Sequence, residues 1–313
     1  MLLRRFTDFI LQNRLRTMGL VFALGFLPLL GSISILVAAF VTLRRGAQEG
    51  FLILIAATLP MVIEGFTSQT PAIGAGNISN LDILTLMVVN NVLTWVFAEF
   101  LRKYVSWSLL LQVAALLGVV IVMVAHLVFP DIQAWWQTNL TDYLLNTMQM
   151  VNQLSPSETL TQKASLSRIV ETMSPYATGF VVISVVFYAL LQVVLARWWQ
   201  AYMYNPGGLR KELYNIRLGY VTGIVFLICV GLSLTGNATT VDMISILYLT
   251  FALAGLSIVH TLSTLSKTSW LWIGLVYVSI VLVPWILILI ALMGLLDAFF
   301  DIRKQLKKRQ LLN

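Results

Sequence analysis

Asn90, Asn91 and Thr94 lie near the middle of an apolar run at 81–101, with Glu99 near its end. Polar side chains in such a setting need partners, because a hydrocarbon layer offers none. Asn90 and Thr94 are four apart and share a helix face. Their chemistry is hydrogen bonding, to a bound solute or to a neighbouring helix; the second is worth about 1 kcal/mol. Glu64 closes the preceding run, just before the uncharged stretch GFTSQTPAIGAGNISN at 65–80. It reads as a hydrated carboxylate or as a ligand-facing one at a cavity mouth. Glu64, Asn90, Asn91 and Thr94 are the candidate ligand-binding set.

Other chemistry is sparse. His126 and His260 are isolated near opposite ends of their runs, so a shared metal site is not expected. Gln112 and Gln192 are single polar positions, and Cys229, the one cysteine, has no partner for a disulfide. No Walker loop, His-Glu-x-x-His helix or Gly-x-Ser-x-Gly elbow is present. Neither catalysis nor a cofactor or metal is expected. Active uptake would need a partner or an ion gradient.

The elements that hold these residues are membrane helices. The 313-residue chain is 59% hydrophobic and 11% charged, against about 25% charged in soluble domains. The net charge of +7 is not read as nucleic-acid binding, because basic residues flank apolar segments under the positive-inside rule. Eight runs approach the roughly 20 residues of a span: 19–43, 48–66, 81–101, 106–129, 177–196, 216–235, 241–264 and 270–298. No cleavable signal peptide is visible. MLLRRFTDFILQNRLR instead reads as an amphipathic arm along the headgroups.

Charge decides between topologies. Eight simple crossings place eleven basic residues on one side and nine on the other, which is no bias. The first and last runs are long for one crossing and interrupted, by Gly25-Phe-Leu-Pro28-Leu-Leu-Gly31 and by Pro284. Proline breaks or kinks a helix. If each run dips in and returns, 18 of 20 basic residues fall on one side, leaving only Lys163 and Arg168 outside. The expectation is one all-α transmembrane domain over 1–313, with six full spans between two broken or re-entrant terminal segments. The alternative is eight spans. Both termini would be cytoplasmic, in a bacterial inner membrane.

Residues 130–176 form an extracytoplasmic insertion. Ile132, Trp135, Trp136, Leu140, Tyr143, Leu144, Met148 and Val151 recur at helical spacing. Ser155-Pro156-Ser157-Glu158 reads as a capping box before a second helix carrying Leu160, Leu166, Ile169, Val170 and Met173. The pair would lie on the outer interface or cover a cavity as a lid.

The connector RWWQAYMYNPGGLRKELYNIRLG at 197–219 reads as an interfacial loop. Arg197 would snorkel, Trp198 and Trp199 would mark the headgroup level, and Pro206-Gly207-Gly208 forces a turn. Arg197-Trp198-Trp199-Gln200, Asn205-Pro206-Gly207-Gly208, Arg210 and Arg217-Leu218, with the ending Gly294-Leu-Leu-Asp297-Ala-Phe-Phe-Asp301-Ile-Arg303, resemble the YybS-like family of bacterial membrane proteins. That family looks distantly related to the S components of energy-coupling-factor transporters. The resemblance implies six spans, both termini inside and docking on a partner membrane protein, and no ligand residue is carried over from it. The functional expectation is a small-solute-binding or transport subunit needing a partner. The alternative is a scaffold using loop 197–217 and the tail, with acidic lipid or Asp297, Asp301 and Arg303 as its counterpart. Expected partners are the bilayer, a small molecule and a membrane or cytoplasmic protein.

Overall fold

A computed structural model describes residues 2–27, 30–67, 79–151, 159–265 and 270–305. The described residues are almost wholly helical and fall into two compact units. Unit 1 comprises Met1–Lys103 and Ala125–Asn205; unit 2 comprises Tyr104–Val124 and Pro206–Asn313. Among the described residues, five helices are long and apolar enough to cross a membrane, and a sixth candidate is a bent pair.

Unit 1 begins with α1 (Leu2–Gln12), α2 (Arg14–Gly25) and α3 (Gly31–Arg45). The Asn13 side chain accepts from the backbone N–H of Leu15 and Arg16, starting α2. Ser34 Oγ donates to the Val21 carbonyl at 2.9 Å, which folds α2 and α3 into a hairpin about the interruption at 26–30. Pro28 lies outside the described residues. The hairpin brings the chain back to where it entered, because Arg45 donates to the carbonyl of Leu11. The first run therefore dips and returns.

Gly46, at φ +103°, joins α3 directly to α4 (Ala47–Thr67), so α3 ends at the level where α4 starts. α5 is Asn80–Tyr104 and α9 is Ala177–Tyr204. α3 is the core of the unit, with Val37, Ala38, Ala39 and Phe40 buried. Trp95 Nε1 donates to the Ala47 carbonyl at 3.1 Å and Gln200 Nε2 to the Leu43 carbonyl at 3.3 Å. These bonds align the basic ends of α3, α5 and α9.

The insertion holds α7 (Ile132–Val151), α8 (Thr159–Met173) and one 3-10 turn at Ser174–Tyr176. Leu166 and Val170 are buried, while Trp135 and Tyr143 are exposed. Trp136 Nε1 donates to Thr178 Oγ1 at 2.8 Å, tying α7 to the start of α9. The expected capping box at 155–158 lies outside the described residues, as do most of the loop at 65–80, Lys267 and the tail beyond 305.

Unit 2 contains most of α6 (Trp107–Val128), then α10 (Gly208–Tyr214), α11 (Tyr220–Ser233), α12 (Ala238–Leu265), α13 (Trp270–Leu282) and α14 (Ile286–Phe300). α13 and α14 are bent by 120° at Val283–Trp285, around Pro284. Gly255 of α12 and Gly294 of α14 face each other's backbones so closely that an added Cβ at Gly255 would overlap the Ile290 carbonyl oxygen. Small residues permit such crossings. α11 is shorter than the run at 216–235 suggests: 14 residues, or about 21 Å. The cause lies in α6. Ser108 Oγ accepts from the Arg217 N–H at 2.9 Å, and Gln112 Oε1 from the Gly219 N–H at 3.0 Å. Side chains thus satisfy backbone donors that a helix would otherwise use, and helix begins only at Tyr220.

Candidate functional site

The hairpin is shorter than its neighbours. α2 and α3 have 12 and 15 residues, about 18 and 22 Å, whereas α4, α5 and α9 have 21, 25 and 28, about 31 to 42 Å. Since α3 ends where α4 starts, the tip of the hairpin stops short of the far ends of the longer helices. The space beyond it is a cavity of about 860 Å³, within the usual range of roughly 300–1,000 Å³ for small-molecule sites. The tip contributes Gly25, Phe26, Gly31 and Ser32; α4 contributes Met61 and Glu64. Met87, Asn90 and Asn91 come from α5, and Ser184, Tyr188 and Gln192 from α9.

Three of the four expected ligand residues therefore meet in one cavity. Glu64 is exposed, and its carboxylate has no partner among the described residues. Asn90 Nδ2 donates to the Val185 carbonyl at 2.8 Å, tying α5 to α9. Asn91 Nδ2 reaches Thr58 Oγ1 at 3.3 Å and Met61 Sδ at 3.4 Å, tying α5 to α4. Both amides are buried and pack helices with their nitrogens. Among the described residues no donor reaches either amide oxygen. Thr94 is absent from the lining: its hydroxyl donates to the Asn90 carbonyl at 2.9 Å, inside its own helix. Ser184 and Gln192 line the cavity, and Tyr188 OH donates to Ser32 Oγ at 2.8 Å across its wall. Tyr188 and Ser32 carried no signal in the sequence. Among the described residues, none of α7 or α8 lines the cavity.

The 197–217 signature divides between the units. In unit 1, Arg197 donates to Gln200 Oε1 at 2.6 Å. Trp198 is exposed, whereas Trp199 is only 4% exposed. Trp199 stacks on Phe40 at 4.4 Å and Phe6 at 5.6 Å, and its Nε1 donates to Thr7 Oγ1 at 2.9 Å. This corrects the headgroup assignment for Trp199: it is the core residue that anchors α1. The arm likewise buries Ile10 against the protein. Asn205 ends α9; Pro206 opens the next stretch, and Gly207 adopts φ +80° before α10 at Gly208, a conformation glycine takes without strain. Arg210 Nε donates to Tyr214 OH at 2.6 Å.

In unit 2, Arg217 closes the C-terminal end of α14, where helix carbonyls lack intrahelical partners. Its Nε donates to the Asp297 carbonyl at 3.0 Å and one terminal nitrogen to Asp301 Oδ2 at 2.9 Å. Arg303 and Asp297, 7% and 1% exposed, form a buried ion pair at 3.1 Å. Arg303 also donates to the carbonyls of Tyr214 and Ile216. Burial pushes its guanidinium below the ordinary value, and Asp297 opposes that shift. These charges hold α10, α12 and α14 together. The last run thus returns to the loop near Tyr214 and Arg217. Gln112 packs α6 on α11, and His260 Nε2 meets Tyr277 OH at 3.0 Å.

Fold and site together define an all-α polytopic membrane protein with a small-molecule-sized cavity in one unit. Compared with family models, curated proteins and solved structures, the chain finds no match.

Proposed function

We propose that this chain is a small-solute-binding subunit of a membrane transport system, and that its site is the cavity beyond the α2–α3 hairpin. The observation carrying this reading is that a hairpin too short to fill its bundle leaves about 860 Å³ lined by Glu64, Asn90, Asn91, Tyr188 and Gln192. An apolar cleft with a few convergent polar groups is the usual form of a small-ligand site. The hairpin stands at the basic ends of α3, α5 and α9. With those ends in the cytoplasm of a bacterial inner membrane, as the charge count favours, both termini are cytoplasmic and the cavity opens outward. The resemblance to YybS-like proteins and to S components supports the same arrangement. In that arrangement a partner supplies the energy for release inward.

The test is recovery of a bound molecule. The full chain, purified in a mild detergent from its own membrane, is extracted with organic solvent and its small molecules are identified by mass spectrometry. One compound is expected at near-stoichiometric amount with the wild type and absent with Ser184→Trp, which fills the cavity. A wild-type extract holding nothing that this substitution removes overturns the reading.

A further inference from the structure

We infer that the cavity selects an amphiphilic organic cation, such as a protonated amine on an aromatic or aliphatic body; the inference rests on the solute-binding reading above and names its ligand class.

Charge is the first argument. Glu64 is the only charged residue among the described lining residues. No Lys, Arg or His occurs between Arg45 and Arg102, a stretch that supplies both α4 and most of α5. Residues 17–43 of the hairpin region and 177–196 of α9 carry no charge at all. No described basic group on these walls answers Glu64, so an anionic solute would meet an unopposed carboxylate at the mouth.

Hydrogen-bond direction is the second. The amide nitrogens of Asn90 and Asn91 and the hydroxyl of Tyr188 already donate within the protein. Among the described residues the lining groups without a partner are the two amide oxygens and the Glu64 carboxylate, which accept, and the Gln192 amide and the Ser32 hydroxyl proton, which can donate. The site can therefore take up a donor-bearing ligand without leaving that ligand's N–H groups unpaired. Two helix N-termini reach the cavity, those of α3 and α5. At α3 the N–H groups of Gly31, Ile33 and Ser34 donate to the carbonyls of Leu27 and Leu30 within the tip, and α5 carries a side-chain cap. Asp82 accepts from the Ser79 N–H at 2.9 Å and the Ser79 hydroxyl at 2.8 Å, while Ser79 Oγ accepts from the Asp82 N–H. That cap places a second carboxylate beside the lining residues Asn80 and Ile83.

The third argument is the apolar surface. Phe26, Met61, Met87 and Tyr188 line the cavity. Aromatic faces attract cations, and thioethers adapt to varied apolar bodies. A hydrophobic ammonium matches this combination of one carboxylate, acceptors and soft apolar walls.

Three probes of one shape and different charge test the inference: 2-(1-naphthyl)ethylammonium, 2-(1-naphthyl)ethanol and 3-(1-naphthyl)propionate. Binding is measured by equilibrium dialysis against the full chain in nanodiscs of zwitterionic lipid, with empty nanodiscs subtracted. The ammonium is expected to bind about tenfold or more tightly than the carboxylate. Glu64→Gln should weaken the ammonium about tenfold and leave the alcohol within about twofold. Equal binding of ammonium and carboxylate, or no effect of Glu64→Gln, overturns the cation inference. Ser184→Trp separates that failure from failure of the underlying reading. If it abolishes binding of all three probes without any charge preference, the cavity stands and the cation inference falls. If it changes none of them, the probes bind elsewhere and both fall.

Discussion

Removing the Arg303 side chain while keeping its apolar bulk should be among the most damaging single changes in unit 2. Asp297 is 1% exposed and its ion-pair partner at 3.1 Å is Arg303. Arg303→Met leaves the carboxylate buried and uncompensated, at a cost of about 3–5 kcal/mol. The double variant Asp297→Leu/Arg303→Met removes both charges. What it leaves is the backbone the guanidinium had served. The Tyr214 carbonyl keeps a donor, because Thr261 Oγ1 reaches it at 2.8 Å. The Ile216 carbonyl loses the Arg303 bond. One orphaned acceptor costs about 1–3 kcal/mol, so the double variant should be more stable than Arg303→Met alone. The assay is equilibrium unfolding of the full chain in mixed micelles as SDS is titrated in, followed by near-ultraviolet circular dichroism. Arg217→Ala is the comparison. Its ion pair with Asp301 is more than a third exposed on each side, and such pairs contribute about 0–1 kcal/mol. A double variant at least as destabilised as the sum of its singles, or an Arg303→Met cost below that of Arg217→Ala, refutes the buried-pair reasoning.

Other residues give equally sharp expectations. Trp199→Ala should cost about 3–5 kcal/mol and Trp198→Ala under about 1 kcal/mol, measured in the same titration; similar losses would return Trp199 to a surface role. Gly294→Ala should destabilise by about 1–3 kcal/mol, because its Cβ would run into the Phe251 carbonyl and the Gly255 nitrogen, backbone atoms that cannot turn aside. Val105 sits at φ +48°, a left-handed conformation that costs a side-chain-bearing residue about 1–2 kcal/mol, so Val105→Gly should raise the unfolding midpoint rather than lower it. In a Cys229→Ser background, single cysteines at Arg14, Arg45 and Lys103 should react with an impermeant maleimide from the same membrane face. Labelling of Arg14 and Arg45 from opposite faces would rule out the returning hairpin.

The broken first and last runs were legible because two crude quantities agreed: lengths unsuited to one crossing and a charge balance that fails if each run crosses once. Both are sums over many residues, so single errors do not spoil them. Individual side chains were less legible. Trp199 follows an arginine and another tryptophan, the composition of an interfacial belt, and its true partners Phe6 and Thr7 lie more than 190 residues away. Thr94 shares a face with Asn90, but hydroxyls in helices readily bond to the carbonyl four residues back, and spacing does not reveal that choice. The early part of the run at 216–235 has apolar composition suited to a span. Its first residues are nonetheless non-helical, because Ser108 and Gln112 of α6 take their N–H groups. Glu64, Asn90 and Asn91 could be selected as polar residues in apolar runs. Their convergence, and the part of Tyr188 and Ser32, depend on how far the hairpin reaches.

The hairpin and the cavity explain each other. Irregular backbone at membrane depth is stable only when buried in protein or lining a space that water can enter. Part of the tip is satisfied internally: Leu27 N–H donates to the Leu24 carbonyl at 3.1 Å and Gly31 N–H to the Leu27 carbonyl at 3.3 Å. Gly25, Phe26, Leu27 and Gly31 also line the cavity, where water or a bound solute can meet the remaining polar groups. Longer hairpin arms would fill the bundle, but they would also remove the space. Gly25 sets the same balance from below, since a side chain there would strike Pro60 of α4 and hold the tip away from its wall. A short hairpin seated closely on α4 therefore both makes the cavity and supplies its floor, which is why the break in the first run belongs with the candidate binding residues.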